Sequence, residues 1–169
     1  SVLPGKEYTV ETFADGEQTH VLAITIKNKV PNTSNTVANE LATPDASPRF
    51  LEPIARLGRR ALESLGYQTG PGHVELMYDG HSQPALIEAA GRGAGFMVFE
   101  RFVPLVSGYD IVTASAQQAV GLPTRPVLIT PQAGIIRFFE SRPGRVLQVS
   151  GFQQIKALGR VEAASFVKI

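Results

Sequence analysis

The sequence of 169 residues predicts an α+β fold in which an antiparallel β-sheet is flanked by helices. Two pairs of strand-like segments are each joined near an Asp-Gly turn, Asp15-Gly16 and Asp79-Gly80, which is typical of β-hairpins. A segment with helical periodicity, residues 47–66, separates the two pairs. Because strands joined by short turns pair antiparallel, these three observations predict the sheet.

The first hairpin opens the chain, and a long polar segment follows it. Residues 8–13 alternate between two faces, and the apolar residues 21–26 form the returning strand after the turn. Residues 30–46 are polar, contain proline near both ends and predict a long loop. Loops of this length in compact domains are often functional.

Residues 47–66 form the clearest predicted helix. Ser47-Pro48 is a start signal and Gly66 a stop signal. Pro53 predicts either that the first turn is a separate piece or that the helix begins near Glu52. Apolar residues at helical spacing define one face: Phe50, Ile54, Leu57, Ala61 and Leu65.

The remaining chain predicts two parts. Residues 97–107 are apolar and suit either a helix or a buried strand, and residues 110–120 predict a helix. Beyond Pro123, short strands alternate with Pro-Gly turns, followed by a short helix and a last strand. We therefore predict one domain over 1–122 and a small β-rich subdomain over 123–169.

Composition limits the classes of partner. The chain has 16 basic and 15 acidic residues and a net charge of +1, which gives no reason to expect nucleic acid or an anionic membrane. It has no cysteine, and its three histidines are scattered. No apolar run approaches the roughly 20 residues that span a bilayer. The start SVLPGKEYTV lacks the features of a signal peptide, so we expect a cytoplasmic protein.

Each strand of the second hairpin carries one acidic residue, Glu75 in HVELMY and Glu88 in ALIEAA. If Tyr78 pairs with Ala85, Glu75 lies directly opposite Glu88. Opposed carboxylates destabilise the pair, and burial disfavours their ionised forms. A shared proton, a basic side chain or a divalent cation such as Mg²⁺ would relieve the conflict. The alternative is that the register differs by one residue or that one glutamate faces solvent.

The order of these segments resembles the second, C-terminal lobe of ATP-grasp enzymes. The resemblance rests on GKEYTVETFADG, VLAITIKN, the helix, GYQTGPGHVELMYDG and LIEAAGRG, and SGYDIV resembles the start of the family's next helix. Residues 133–164 are similar to the small C-terminal domain of the L-amino-acid ligase branch. The resemblance implies ATP-dependent ligation of a carboxylate to an amine through an acyl phosphate, with ATP and Mg²⁺ or Mn²⁺ as cofactors.

The resemblance also implies roles for residues of the second hairpin. ATP-grasp enzymes hold Mg²⁺ between acidic residues on two neighbouring strands, and the motif match assigns this role to Glu75 and Glu88. Arg92 matches the arginine of a Glu-x-Asn-x-Arg motif and is implied as the catalytic contact to phosphate or acyl phosphate. Ala90 replaces the asparagine of that motif, which removes an oxygen ligand for a second metal ion. Three glycines here either admit a ligand or form the turn: Gly91, Gly93 and Gly95.

Further residues are implied in nucleotide and substrate binding. Met77 matches an apolar position that lies against adenine, although ordinary core packing also explains it. Lys27 can reach phosphate from its strand, and a solvated strand end is the alternative. Glu7 matches a glutamate of the GKEYTVE motif. Asn35 lies in the long loop, where relatives often have a histidine.

The resemblance covers one lobe, so we expect the N-terminal lobe of the same protein to supply the opposite wall of the ATP site. The chain alone is expected to bind MgATP poorly and to turn over no substrate. Its expected partners are ATP, a small-molecule carboxylate and an amine, and a homo-oligomer is left open. Two alternatives are a non-catalytic interaction or regulatory module and an α+β domain with solvated carboxylates.

Overall fold

The fold is built on one antiparallel sheet of six strands. The computed structural model describes residues 3–29, 38–125, 127–139, 144–145, 147–159 and 161. The strands are β1 (Lys6–Asp15), β2 (Thr19–Lys29), β3 (Ala38–Ala42), β4 (Thr69–Tyr78), β5 (Ala85–Ala90) and β6 (Ile135–Arg137). Their spatial order is β5-β4-β1-β2-β3-β6. The predicted α+β class with an antiparallel sheet is confirmed.

Helices connect and cover these strands. They are α1 (Pro48–Ser64), a π-helical segment (Val98–Phe102), α2 (Val103–Ser107) and α3 (Ile111–Ala119). A further helix, α4 (Phe152–Lys156), comes later in the chain. Within the apolar segment 97–107, residues 98–107 are therefore helical, and the predicted helix over 110–120 is confirmed. Asp110 caps α3, because its Oδ1 accepts a hydrogen bond of 3.0 Å from the backbone N–H of Thr113.

The chain divides into two compact units, Ser1–Phe139 and Glu140–Ile169. In the first unit β6 pairs with β3, so this strand belongs to the main sheet although it follows residue 122. The predicted domain boundary between 1–122 and 123–169 stays a prediction. In the second unit α4 is the predicted short helix, and Lys156 Nζ lies 4.6 Å from the ring centroid of Phe152. The predicted last strand lies outside the described residues.

Helix α1 begins at the predicted signal but is continuous. The Ser47 hydroxyl accepts from the backbone N–H of Phe50 at 3.3 Å, and Pro48 occupies the first turn. Pro53 lies inside the helix. The prediction of a separate first turn and the prediction of a helix start near Glu52 are therefore both wrong. The Pro53 ring removes one hydrogen bond near the start of a helix that packing on the sheet stabilises. Leu65 was also predicted wrongly as part of the apolar face, because it caps the helix and is exposed.

Gly58 lets α1 approach β1 closely. A Cβ atom at this position would lie 2.6 Å from Val10 Cγ1 in the buried core. We expect Gly58→Ala to destabilise the chain by about 1–2 kcal/mol, since overpacking outweighs the gain in helix propensity. Urea unfolding measures the change, with Gly95→Ala compared as a site outside the helix where a Cβ meets no atom within 4 Å; a more stable Gly58→Ala variant would contradict the packing argument.

Both faces of the sheet carry apolar clusters. The first cluster packs α1 against β1 and β4 and contains Tyr8, Val10, Ile54, Ala61, Leu62, Val74, Leu76 and Tyr78. The second packs the π-helical segment, α2 and α3 against the opposite face and contains Phe13, Leu22, Ala23, Leu41, Val98, Phe102, Val103, Val106, Tyr109, Ile111 and Ala114. The rest of the second face, from Phe13 back towards the start of β1, carries the polar residues described below.

Strand β3 corrects part of the predicted loop over 30–46. Ala42 and Leu41 pair with Ile26 and Lys27 of β2, and the Leu41 side chain is buried in the second cluster. A single buried apolar residue in a five-residue strand leaves too weak a local pattern to reveal it. Residues 30–37 lie outside the described residues.

The first turn depends on an ionised Asp15. Its Oδ1 accepts from the backbone N–H groups of Glu17 and Gln18, both at 2.9 Å, and its Oδ2 lies 2.6 Å from His20 Nε2. Burial alone would raise the pKa of Asp15, but these hydrogen bonds and the nearby His20 lower it to about 2. The carboxylate therefore favours the folded chain at neutral pH.

The pKa of Asp15 makes stability depend on pH. Because its folded pKa of about 2 lies below the unfolded value, its contribution is present above about pH 4 and is lost as pH falls towards 2. We expect wild type to lose about 1 kcal/mol more than Asp15→Asn over this window. Urea unfolding at several pH values measures the difference, and parallel pH profiles of the two proteins would contradict the assignment.

Candidate functional site

Charged side chains occupy one face of the central strands. In β1 and β4 the register pairs Glu7 with Met77, Thr9 with Glu75 and Glu11 with His73. Because side chains alternate along a strand, these paired residues share the face that carries Phe13 further along β1. We call this surface the charged face, defined by Glu7, Glu11, Lys27, Lys29, His73, Glu75 and Glu88.

Glu75 lies directly opposite Glu88, as predicted. The predicted pairing of Tyr78 with Ala85 is wrong, because Ala85 pairs with Met77. A register shift next to Glu75 inserts Ile87 as a bulge in β5, and this extra residue restores the opposition of the two glutamates. The Glu88 side chain is 54% exposed, whereas that of Glu75 is 21% exposed.

Lys27 relieves the concentration of negative charge around Glu75. Its Nζ atom donates to Glu75 Oε1 at 2.5 Å and to Glu7 Oε1 at 2.6 Å. Lys29 Nζ lies 2.7 Å from the other oxygen of Glu7, Oε2. Burial lowers the pKa of Lys27, but the two carboxylates raise it by more, so the side chain stays charged. Of the three predicted forms of relief, the described residues supply the basic side chain.

A buried pair, Glu11 and His73, supports Glu75 from the other side. His73 Nδ1 lies 2.7 Å from Glu11 Oε1, and His73 Nε2 lies 3.1 Å from Glu75 Oε1. The Glu11 side chain is 3% exposed and that of His73 is 9% exposed. Burial alone would lower the pKa of His73, but hydrogen bonds to both carboxylates raise it to about 9. At neutral pH His73 is therefore an imidazolium that donates to both glutamates.

The same contacts keep Glu75 ionised. The hydrogen bond from His73 lowers its pKa, partial burial raises it, and Lys27 lowers it further, to about 2. Sequence reasoning missed the Glu11–His73 pair. The available signal was Glu11 itself, a glutamate on the face of β1 that carries the buried Phe13.

The remaining predicted site residues lie around this cluster. Met77 is half-buried and pairs with Glu7, next to the Lys27 contact. Arg92 follows β5 and is exposed; its Nη1 donates to the carbonyl of Gly93 at 3.0 Å, and its Nη2 lies 3.5 Å from Glu88 Oε1. Lys27 contacts both Glu7 and Glu75, and Asn35 lies outside the described residues.

Packing accounts for two of the three glycines after β5. A Cβ at Gly91 would lie 2.5 Å from the Tyr67 ring, and one at Gly93 would lie 2.4 Å from the Phe99 ring. A Cβ at Gly95 would meet no atom within 4 Å. The turn is therefore held close to two aromatic rings, which explains Gly91 and Gly93 without a ligand.

The carboxylate oxygens of Glu75 and Glu88 suit a metal ion whose other ligands come from a bound molecule and water. Among the residues that the structure describes, no group of three or more His, Asp or Glu side chains is arranged to hold a metal ion. Ala90, which pairs with His73 beside Glu75, offers no side-chain oxygen. Mg²⁺ is often bound by one or two carboxylates together with phosphate oxygens and water. Glu75 and Glu88 thus fit Mg²⁺ bound to a polyphosphate.

Comparison with known protein families identifies the family of this chain. The family model for the ATP-grasp domain matches residues 1–100, more than half of the chain. The chain belongs to the ATP-grasp family. No curated protein sequence matches it. In the described part of the ATP-grasp chain, no helix is both long and apolar enough to cross a bilayer.

Solved structures share the fold of this ATP-grasp chain. An L-amino acid ligase from Bacillus licheniformis has a TM-score of 0.85 at 22% identity over 96% of this chain. Phosphoribosylglycinamide synthetase from Anaerococcus prevotii has a TM-score of 0.68 at 16% identity over 81%. The biotin carboxylase domain of 2-oxoglutarate carboxylase from Hydrogenobacter thermophilus, solved with MgADP, has a TM-score of 0.61 at 18% identity over 77%. The chain spans only 41%, 35% and 28% of these structures, in that order.

Proposed function

We propose that the chain forms one wall of the ATP site of a ligase that joins a carboxylate to an amine. The observation that carries the proposal is the direct opposition of Glu75 and Glu88 on the charged face of an ATP-grasp lobe. An ionised Glu75, held by Lys27 and His73, and an exposed Glu88 next to it present oxygens suited to Mg²⁺ or Mn²⁺.

The proposed reaction has two steps. A carboxylate oxygen of one substrate bonds to the γ-phosphorus of ATP as the bond to ADP breaks, which gives an acyl phosphate. The amine of the second substrate then bonds to the acyl carbon and loses one proton, and the bond from that carbon to the phosphate oxygen breaks to release phosphate. The protein contributes orientation and charge rather than a nucleophile.

Each residue has a defined part in this scheme. Glu75 and Glu88 would hold the metal ion, which supplies charge neutralisation at the transferred phosphoryl group. Arg92 is exposed beside Glu88 and would contact that group or the acyl phosphate with its planar guanidinium. Lys27 and Glu7 would lie at the phosphates, and the half-buried Met77 would support the adenine.

We propose that another lobe supplies the opposite wall of the site. The support is the share of the Bacillus licheniformis ligase that this chain spans, 41%. On this proposal the 169 residues alone bind MgATP weakly and do not turn over substrate. The complete ligase would act in the cytoplasm on small molecules.

A second candidate is a non-catalytic interaction or regulatory module. Two observations favour it: Ala90 provides no metal ligand, and Glu75 is already paired with two cations. In that case Glu75 would stabilise the fold and hold no metal ion.

The experiment starts from the native protein that contains this sequence, purified from its own cells and weighed by mass spectrometry. ADP release is then measured with ATP, Mg²⁺, mixed amino acids and, in a parallel sample, hydroxylamine to trap an acyl phosphate as a hydroxamate. We expect ADP release to require both a carboxylate and an amine, and a hydroxamate to form. Activity without either substrate, or no ADP release across amino acids and other small carboxylates, would contradict the ligase and favour the module.

A further inference from the structure

The carboxylate proposed as a metal ligand already has a cation at hydrogen-bond distance. Lys27 Nζ lies 2.5 Å from Glu75 Oε1, and the Lys27 side chain is 18% exposed. The same oxygen also accepts from His73. A divalent ion that binds Glu75 would thus come close to an ammonium group in a partly buried site, where repulsion is poorly screened.

The connected part of the charged face is balanced without a metal ion. Its lysine ion pairs join two carboxylates, Glu7 and Glu75, to two ammonium groups, Lys27 and Lys29. A free divalent ion would add positive charge to this balanced network, whereas a metal–triphosphate complex would add net negative charge. The network therefore disfavours binding of a free divalent ion more than binding of a metal–triphosphate complex.

Lys27 also has a second anchor. Its Nζ atom also donates to Glu7 Oε1 at 2.6 Å, and Glu7 lies on β1, the strand between those of Lys27 and Glu75. Lysine is a compact charge on a flexible four-carbon stem. Lys27 can thus release Glu75 and remain bound to Glu7.

We propose that Lys27 is a tethered counter-cation that excludes free divalent metal from Glu75 and exchanges Glu75 for a nucleotide phosphate when a metal–nucleotide complex arrives. The inference rests on the proposed function in that Glu75 is the metal ligand. It adds an order of binding, in which the metal enters with the nucleotide. Lys29, which contacts only the far oxygen of Glu7 among these carboxylates, has no part in the exclusion.

The test measures Mn²⁺ binding to the 169-residue chain without nucleotide, by the electron paramagnetic resonance signal of free Mn²⁺. We expect Lys27→Met to bind one Mn²⁺ about tenfold more tightly than wild type, because the competing charge is gone. Lys29→Met is the matched control: it removes the same charge from the next residue on this face and should stay within about twofold of wild type. The double variant Lys27→Met, Glu75→Gln should lose the gain.

Three outcomes would overturn the inference: tight Mn²⁺ binding by wild type, no gain in Lys27→Met, or equal gains in both lysine variants. If Lys27→Met does not fold, Lys27→Gln replaces it, and the wild-type result stands by itself. The readout needs no turnover. If Lys27→Met binds Mn²⁺ more tightly but the native protein has no ligase activity, the role of Lys27 as a counter-cation holds and the ligase proposal fails. If the native protein is an active ligase but Lys27→Met binds Mn²⁺ no more tightly, the ligase proposal holds and the counter-cation role fails.

Discussion

Replacing Glu11 with glutamine is expected to lower the free energy of unfolding by about 3 kcal/mol. The variant removes the buried partner of the His73 imidazolium, whose side chain is 9% exposed. The variant leaves His73 with only the more exposed Glu75, 3.1 Å away, as a counter-charge. Removing one partner of a buried charge pair costs more than the intact pair contributes. Urea unfolding at pH 7 measures the loss.

Glu17→Gln provides the matched control for Glu11. Glu17 lies in the exposed turn of the same hairpin, so the same change in charge should alter stability by less than about 0.5 kcal/mol. A Glu11→Gln variant as stable as Glu17→Gln would mean that His73 needs no buried counter-charge. The account of how Glu75 is oriented would then fail.

Replacing Glu75 with glutamine is expected to reduce Mg²⁺-dependent ADP formation by the proposed ligase by about a hundredfold or more. Glutamine keeps the size of the side chain and an oxygen near His73, but it loses the charge that would hold the metal ion against Lys27. Glu75 is ionised throughout the physiological range because its pKa is about 2, so the charge is present in the wild-type protein.

Glu63→Gln is the control for this loss, since Glu63 is exposed on α1, on the opposite side of the sheet. Its activity should match wild type within about twofold. Unchanged activity in Glu75→Gln would reject the metal-ligand role. It would favour the interaction module, in which Glu75 serves only the fold.

Local patterns predicted those parts of the fold that depend on local physics. Alternation and Asp-Gly turns identify the strands of both hairpins, and Ser47-Pro48 identifies the start of α1. The opposition of Glu75 and Glu88 was also predicted, although the assumed register at the turn was wrong. The bulge at Ile87 shifts the register back by one residue, so the two glutamates still face each other. No feature of the sequence ALIEAA predicts this bulge.

The contacts of the charged face required knowledge of the strand order. Glu11 and His73 are 62 residues apart and meet only because β1 and β4 are neighbours. Lys27 reaches Glu75 across β1, which lies between their strands. Neither neighbour relation follows from the periodicity of a single segment. Strand β3 was missed because its one buried residue, Leu41, leaves too little pattern.

Glu75 and Glu88 are proposed to hold the metal ion of a bound nucleotide. The most direct measurement is nuclear magnetic resonance of the ¹⁵N-labelled chain titrated with Mn²⁺ and a non-hydrolysable ATP analogue, which detects even weak binding. We expect the backbone amide signals of Glu75 and Glu88 to broaden first, while those in the middle of α1, on the other side of the sheet, persist. Broadening centred on α1, or none that is selective for the Glu75–Glu88 pair, would contradict the claim.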